Sequence, residues 1–408
     1  MKLLQVTHRL PYPLIDGGKK GIFGFSRGYS KLLGRDNFAI FCLAPQQEAR
    51  YDVSELRALA AHCRIDYRNF DNTIAGLLKN TLFRPGLPYN MQKYMLPDAL
   101  AELLKLIEQF QPDVVQLEHL HTAYYARAVR KQFPHIVLGL REHNVESTIL
   151  ARLAEQETNP VKKKLFRIQA DRLHRYETEA LPVFDLVLPI TDVDAGRIES
   201  MSPGTRQLLV PAGADIPDTL PAGGNCAAPS IVHVAAMDWI PNQDGLNWFI
   251  QHVMPRLRND GLGVTLNIAG KNMPERFNAV AASDIRVHGF LPDLQPLLDD
   301  ACLAIVPLFV GGGMRVKILD YMAQGIPVVS THVGAEGISD GHDGALLIAD
   351  SAEDFAVQIR ALLLQPGLRD TLRQTAYRLC TENYSWDAIC SRVLDAYASQ
   401  LAEKMSTP

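Results

Sequence analysis

Short runs of consecutive apolar residues recur along this 408-residue chain, separated by stretches whose apolar positions repeat at helical spacing. Lys2–His8 reads as a first buried strand, PYPLIDGGKKG as a long loop, Ile22–Leu33 as a helix and Phe38–Ala44 as a second strand. DVVQL (113–117), IVLGL (136–140) and DLVLPI (185–190) are further short runs bounded by helical segments. The rhythm stops at 211–229, PAGADIPDTLPAGGNCAAP, which is rich in Pro, Gly and Ala and reads as a linker. It then restarts with IVHVA (231–235), a helical stretch at Gln243–Leu257, and the strands VTLNIA (264–269), CLAIVP (302–307) and IPVVS (326–330). Helical patterns from about Asp354 to Leu401 close the chain. Strands alternating with helices predict parallel sheets covered on both faces. Two such α/β units joined by one linker predict a cleft, with ligands outside the carboxyl ends of the strands.

Composition narrows the classes. The chain is 47% apolar and 21% charged, as an ordinary globular protein is, and its net charge of −4 argues against a nucleic-acid-coating role. Residues 1–215 carry a net +4 and the remainder −8. No apolar run reaches the roughly 18–20 residues that cross a bilayer, and the N-terminal run is too short for a secretion signal, so a cytoplasmic protein is expected. The six cysteines are scattered with no CxxC pair, which disfavours a disulfide scaffold or structural zinc.

The densest chemistry lies in VPLFVGGGMRVKILDYMAQGIPVVST (306–331). A strand ends near Pro307. Gly311, Gly312 and Gly313 then precede a helix expected over Met314–Gln324, and glycines before a helix N-terminus let backbone N–H groups approach an anion. Arg315 and Lys317 add two cations there, and the combination reads as a diphosphate site. Lys317, Asp320, Tyr321 and Gln324 share one helical face, with Ile318, Leu319 and Met322 on the buried side. Being two apart, Arg315 and Lys317 converge only if Arg315 lies at or before the first turn. The plain alternative is a solvated helix with a Lys317–Asp320 pair.

This segment resembles the signature of the group 1 (family 4) retaining glycosyltransferases of GT-B fold. Asp320 stands where those enzymes have their second Glu, Gly312 where they have the first, and G-I-P-V-V follows as in the family. The resemblance implies two Rossmann-like domains with parallel sheets facing across a cleft. It assigns Arg315 and Lys317 to the donor diphosphate, Asp320 to the ribose, and Gly311–Gly313 and Met314 to the donor. PYPLIDGGKKG is similar to the family's first Gly-rich loop, with Gly17 and Gly18 at the matching positions. His143 in REHNVE matches the family's catalytic or sugar-contacting His, and Glu118 in VVQLEHLH aligns where members often carry a His. HGFL (288–291) resembles the turn beside the nucleobase, giving Gly289, Phe290 and Leu291, while Gly270 edges the same pocket. DWIPNQD (238–244) lacks the Arg that other members place there.

No metal is expected. Asp192-x-Asp194 follows a strand and opens a helix, where N-capping by Thr191 or Asp192 is the simpler account. His119-x-His121 shows no third ligand in the neighbouring sequence. The basic segment 160–177 reads either as a solvated helix paired with Asp171, Glu177 and Glu179 or as a contact with anionic inner membrane.

The expectation is a hexosyltransferase with no cofactor beyond its UDP- or GDP-linked sugar substrate. Its acceptor would be a hydroxyl of a glycan or lipid-linked molecule, in cell-surface polysaccharide or glycoconjugate synthesis. The alternatives are a nucleotide-sugar 2-epimerase and a catalytically silent GT-B scaffold subunit. The expected domains are 1–212, with a C-terminal helix at about 387–405 packing back on it, and 213–386 for the nucleotide-sugar.

Overall fold

The computed structural model describes residues 1–14, 17–71, 73–84, 86–223, 228–310, 314–338 and 344–406. The chain forms two compact units, one of Met1–Pro211 with Ile389–Pro408 and the other of Ala212–Ala388. The first contains strands β1 (Leu3–Thr7), β2 (Phe38–Pro45), β3 (His62–Arg68), β4 (Val114–Glu118), β5 (Val137–Glu142) and β6 (Leu186–Pro189). They form one parallel sheet in the order β3-β2-β1-β4-β5-β6. The second contains β7 (Ser230–Val234), β8 (Thr265–Ala269), β9 (Ile285–Gly289), β10 (Leu303–Val306), β11 (Val328–Ser330) and β12 (Leu347–Ile348). Their order is β12-β11-β10-β7-β8-β9, again all parallel. Both units have the α/β architecture that the alternation predicts.

The strands that the apolar runs reveal are the buried ones: β1, β4, β7 and β10 are apolar over most of their length because helices cover both sheet faces. The pattern misses β3, β9 and β12, and all three are sheet edges. β3 reads HCRIDYR and β9 reads IRVHG, with outward polar side chains that break any continuous apolar run.

Two local boundaries differ from expectation. The helix after β1 begins at Gly17 and runs to Leu33, so Gly17 and Gly18 form its first turn and do not sit in a loop. Lys19 in that turn is buried and bonds Glu48 at 2.8 Å, which carries the helix back past the apolar start at Ile22. The helix after β10 spans Val316–Ala323, shorter at both ends than expected. Among the described cysteines, Cys42, Cys63, Cys380 and Cys390 are free, whereas Cys302 at the head of β10 is disulfide-bonded, a departure from the expected thiols. Among the described residues no helix is long and apolar enough to cross a membrane.

In the first unit a polar chain runs through the core beneath helix Gly17–Leu33. Ser26 Oγ donates to Gln5 Oε1 (2.6 Å), and Gln5 Nε2 and Gln116 Nε2 donate to Glu118 Oε1 (2.8 and 2.7 Å). Tyr29 and Tyr397 donate to Gln116 Oε1 at 2.5 and 3.0 Å. Tyr397 comes from the C-terminal helix Trp386–Ser406, and its ring occupies the space above Gly139 in β5. All of these groups are buried, and every member named here has a partner, as a buried polar network requires.

Candidate functional site

In the second unit the carboxyl ends of β7, β8, β9 and β10 converge on one sheet edge, and the residues singled out from the sequence lie there. Gly270 follows β8, and its N–H donates to Gly289 O at the end of β9 (2.8 Å). A Cβ on Gly270 would fall 1.7 Å from the Ala235 carbonyl oxygen, so only glycine lets the β7 and β8 ends close up. Phe290, next in the turn, is exposed, and Leu291 is half-buried.

Arg315 is the N-cap of helix Val316–Ala323, with non-helical φ −91° and ψ 86°. That satisfies the condition for convergence: Arg315 stands before the first turn and Lys317 within it, so their side chains need not diverge. Arg315 is buried, with its guanidinium over the Trp239 ring at 5.4 Å. Lys317 is half-buried, and its Nζ donates to Asn242 Oδ1 at 2.9 Å. Asn242 in turn donates to Ala236 O at 2.8 Å, which fixes the amide so that its oxygen faces the lysine. Burial first, then the Arg315 charge, push the Lys317 ammonium down to about 7. Two cations at a helix N-terminus, with Lys317 bonded to a neutral amide, form a site whose charge an anion would balance.

Asp320 is half-buried on the same helix. Tyr321 departs from the expected polar face: it is 2% exposed, and its hydroxyl accepts from Val234 N (2.8 Å), fastening the helix to the end of β7. Met314 is half-buried against Gly337, where a Cβ would come 3.1 Å from Met314 Cα. Gly311, Gly312 and Gly313 lie outside the described residues.

In the first unit, His143 follows β5 and is buried, and its Nε2 lies 2.9 Å from Glu118 Oε2. Burial raises the Glu118 carboxyl, but the His143 hydrogen bond and charge, Arg141 and Gln5 outweigh it, so Glu118 sits below its ordinary value and is ionised. An ionised carboxylate only accepts, so Nε2 of His143 carries the proton. Burial holds the imidazole below its ordinary value, against the Glu118 hydrogen bond, so the ring is neutral near pH 7. Helix Gly17–Leu33 passes close by, since a Cβ on Gly21 would lie 3.8 Å from His143 Cε1. The structure therefore brings Gly21, one turn beyond Gly17, close to His143 and its partner Glu118 within this unit, while a Cβ on Gly17 would meet nothing within 4 Å.

The Asp192-x-Asp194 pair resolves as a helix start. Thr191 is the N-cap, its Oγ1 accepting from Asp194 N at 3.1 Å, and Asp194 pairs with Arg197 at 2.7 Å. The basic helix spans Pro160–Ala180 and is not the uniformly solvated face expected. Arg172 turns inward and donates to the Thr81 carbonyl (2.8 Å), and Glu177 is buried against Ser147, away from surface cations.

Sequence reasoning missed two features around His143. His8 joins His119 and His121, which supplies the third imidazole that the local sequence lacks. Behind β5, Glu142, Glu146 and Glu177 form a carboxyl cluster. Burial and mutual repulsion push Glu146 and Glu177 up to about 7 and Glu142 well above its ordinary value. A carboxyl raised on folding stabilises fully below its unfolded value of about 4.5, and that stability is lost as pH rises through about 7. The melting temperature is expected to fall between pH 5 and pH 8, and to fall less steeply in Glu177→Gln, measured by calorimetry. Identical slopes would show that the cluster does not hold its protons.

Comparison with known proteins bears first on the second unit. Residues 228–365 match the family described as glycosyl transferases group 1. This stretch contains Gly270, the Gly289–Leu291 turn, Arg315, Lys317 and Asp320. The chain is 29% identical over 207 residues to the putative colanic acid biosynthesis glycosyltransferase WcaL of Salmonella typhimurium, covering 46% of this chain and 50% of that protein. It is 29% identical over 161 residues to an uncharacterized 44.6 kDa protein in the cps region of Klebsiella pneumoniae, covering 37% and 42%. The chain thus spans about half the length of the curated relatives it matches. Among solved structures, it resembles a sucrose-phosphate synthase from Thermosynechococcus elongatus over 99% of this chain and 100% of that one, with TM-score 0.68 and 13% identity. It also resembles Anabaena Alr3699/HepE in complex with UDP over 98% and 100%, with TM-score 0.63 and 12% identity. These likenesses establish the GT-B fold, and the family match supports a group 1 glycosyltransferase.

Proposed function

We propose that this protein is a retaining glycosyltransferase that moves a hexose from a nucleoside-diphosphate sugar to a hydroxyl of a glycan or lipid-linked acceptor, in surface-polysaccharide synthesis. The observation that carries the reading is the pair Arg315 and Lys317, N-cap and first turn of one helix, at the carboxyl ends of the second sheet. The chemical barrier is departure of a nucleoside diphosphate from an oxocarbenium-like sugar. Fixed cations and N–H groups aimed at the leaving diphosphate stabilise charge as it develops. Asp320 would take ribose hydroxyls, and the Gly270 and Gly289–Leu291 edge would take the base. The UDP bound by Anabaena HepE and the colanic acid assignment of the WcaL relatives agree in chemical class. In the first unit, His143 is the group proposed to meet the reacting sugar. Glu118 is 0% exposed with both oxygens bonded, so its proposed role is to fix the His143 ring and proton.

An apolar cavity of about 250 Å³ in the first unit is lined by Leu77, Tyr89, Leu150, Phe166 and Leu173, and the helix that supplies Phe166 and Leu173 also carries the exposed lysines 162–164. It supports a lipid-linked acceptor and contact with anionic membrane in the proposal.

A nucleotide screen tests the donor reading. UDP or GDP and the matching sugar nucleotide should raise the melting temperature, as RT ln(1 + [L]/Kd) requires, while the others do not. The affinity should also depend on pH. Lys317 free of ligand titrates at about 7, and a bound diphosphate holds its proton. Binding therefore takes up a proton above pH 7, and Kd should rise by up to about tenfold per pH unit from there. Calorimetry in buffers of different ionisation enthalpy reads this uptake directly. No stabilisation by any nucleoside diphosphate would reject the donor site.

A further inference from the structure

We propose that His8, His119 and His121 form a binding site for one transition-metal ion of the zinc class, tying together the loops that follow β1 and β4. One nitrogen from each ring lies within 4.8 Å of the other two. The three residues come from two adjacent strands: His8 follows β1, and His119 and His121 follow β4, so the parallel pairing of β1 with β4 makes the cluster.

The unusual feature is hydrogen bonding. His8 Nδ1, both ring nitrogens of His119, and His121 Nδ1 are buried and have no hydrogen-bond partner among the described residues. Buried imidazole nitrogens normally find partners, and a ring with neither nitrogen satisfied has lost its water for nothing in return. A metal ion would satisfy one lone pair on each ring at once. His119 is also held at φ +65° and ψ 152°, a region that non-glycine residues rarely adopt.

The surroundings select the class of ion. Arg9 and Lys93 face the cluster, and the adjacent carboxylate, Glu118, is already bonded to Gln5, Gln116 and His143. Three imidazole nitrogens with no free carboxylate beside them are a poor donor set for Mg²⁺ or Ca²⁺ and suit Zn²⁺, Ni²⁺ or Cu²⁺, whose bonds to nitrogen must also outweigh repulsion from Arg9 and Lys93. Binding requires movement. Zn–N bonds of about 2.0–2.1 Å place tetrahedral nitrogens about 3.4 Å apart, inside the 4.8 Å within which the three nitrogens already lie. The rings of His8 and His121, now stacked at 4.5 Å and 10°, must tilt apart for both lone pairs to meet one ion. Three histidines leave a fourth position for water, as in open zinc sites. His119 stacks on His143 at 3.6 Å and 12°, so an ion here would also fix the position of the His143 ring. The inference does not rest on the glycosyl-transfer reading.

The test uses the full-length chain, stripped with chelator and titrated with Co²⁺. The expected result is a visible d–d band that saturates at one equivalent, is displaced by Zn²⁺ and is unaffected by Mg²⁺. His121→Gln, the least buried of the three, should weaken Co²⁺ binding by at least the roughly 10–100-fold that loss of even an outer-shell partner costs, in a protein whose circular dichroism is unchanged. His252→Gln, on the exposed surface of the other unit, should leave the band intact. The wild-type titration stands without any variant, so the test survives misfolding of His8→Gln or His119→Gln. Absence of a saturable band, or a band that survives His121→Gln, overturns the site. Nucleotide stabilisation, read separately, should be the same with and without the metal.

Discussion

Replacing Lys317 by alanine is expected to lower turnover by about 10²–10³-fold while the melting temperature stays level or rises. The two halves of that expectation have one cause. Lys317 Nζ has been drawn out of water far enough to bring its ammonium down to about 7, and its hydrogen bond to Asn242 returns only part of the lost hydration. The resting fold therefore bears a cost for keeping the amine there. That cost is recovered when a diphosphate arrives, most of all when the sugar–phosphate bond breaks and negative charge accumulates. Alanine removes the cost and the recovery together. Asn242, still held by its bond to Ala236 O, would keep its orientation, so the defect should be confined to catalysis and nucleotide affinity. Release of nucleoside diphosphate from the donor that the thermal screen identifies is the assay, with calorimetric Kd beside it. Turnover within a few-fold of wild type would remove Lys317 from the mechanism, and the donor-site reading with it.

Gly139→Ala is the substitution expected to harm the fold most for the least chemical change. A Cβ there would fall 1.9 Å from Tyr397 Oη and 2.6 Å from its Cζ. Gly139 is central in β5 and pairs with Gln116 on β4 and Leu186 on β6, so the backbone cannot retreat. Tyr397 must move instead. It would leave Gln116, which organises Glu118, which holds His143. Overpacking of this kind costs about 1–3 kcal/mol, which for a unit of this size is a drop of roughly 2–12 °C in melting temperature. The double variant Gly139→Ala with Tyr397→Leu should recover part of the loss by making room. An unchanged melting temperature in the single variant would show that the tyrosine does not occupy that space.

These two substitutions differ in how far the linear sequence announces them. Lys317 and Arg315 stand out because cations after a glycine run, at the start of an apolar-faced helix, have few purely structural uses. Gly139 carries no such signal: IVLGL is an ordinary buried strand, and nothing in it shows that a tyrosine far along the chain fills the missing side chain. Tyr321 shows the reverse error. Helical spacing put it on the polar face with Lys317, yet its ring is buried and its hydroxyl is bonded to the end of β7, because a tyrosine can bury its ring and still satisfy its oxygen.

By itself, the sequence determined the two α/β units, the buried strands of both sheets and the cationic helix start, since periodicity and residue type are local properties. It did not determine the edge strands β3 and β9, whose polar residues look like loop, nor the two-residue edge strand β12. It did not determine Tyr397 beneath Gly139, the raised carboxyls behind β5, or the meeting of His8 with His119 and His121. Those depend on which strand lies beside which, and on how far each side chain has been withdrawn from water. Strand order and desolvation are set when the sheets and helices pack, so they can be read only from the folded chain.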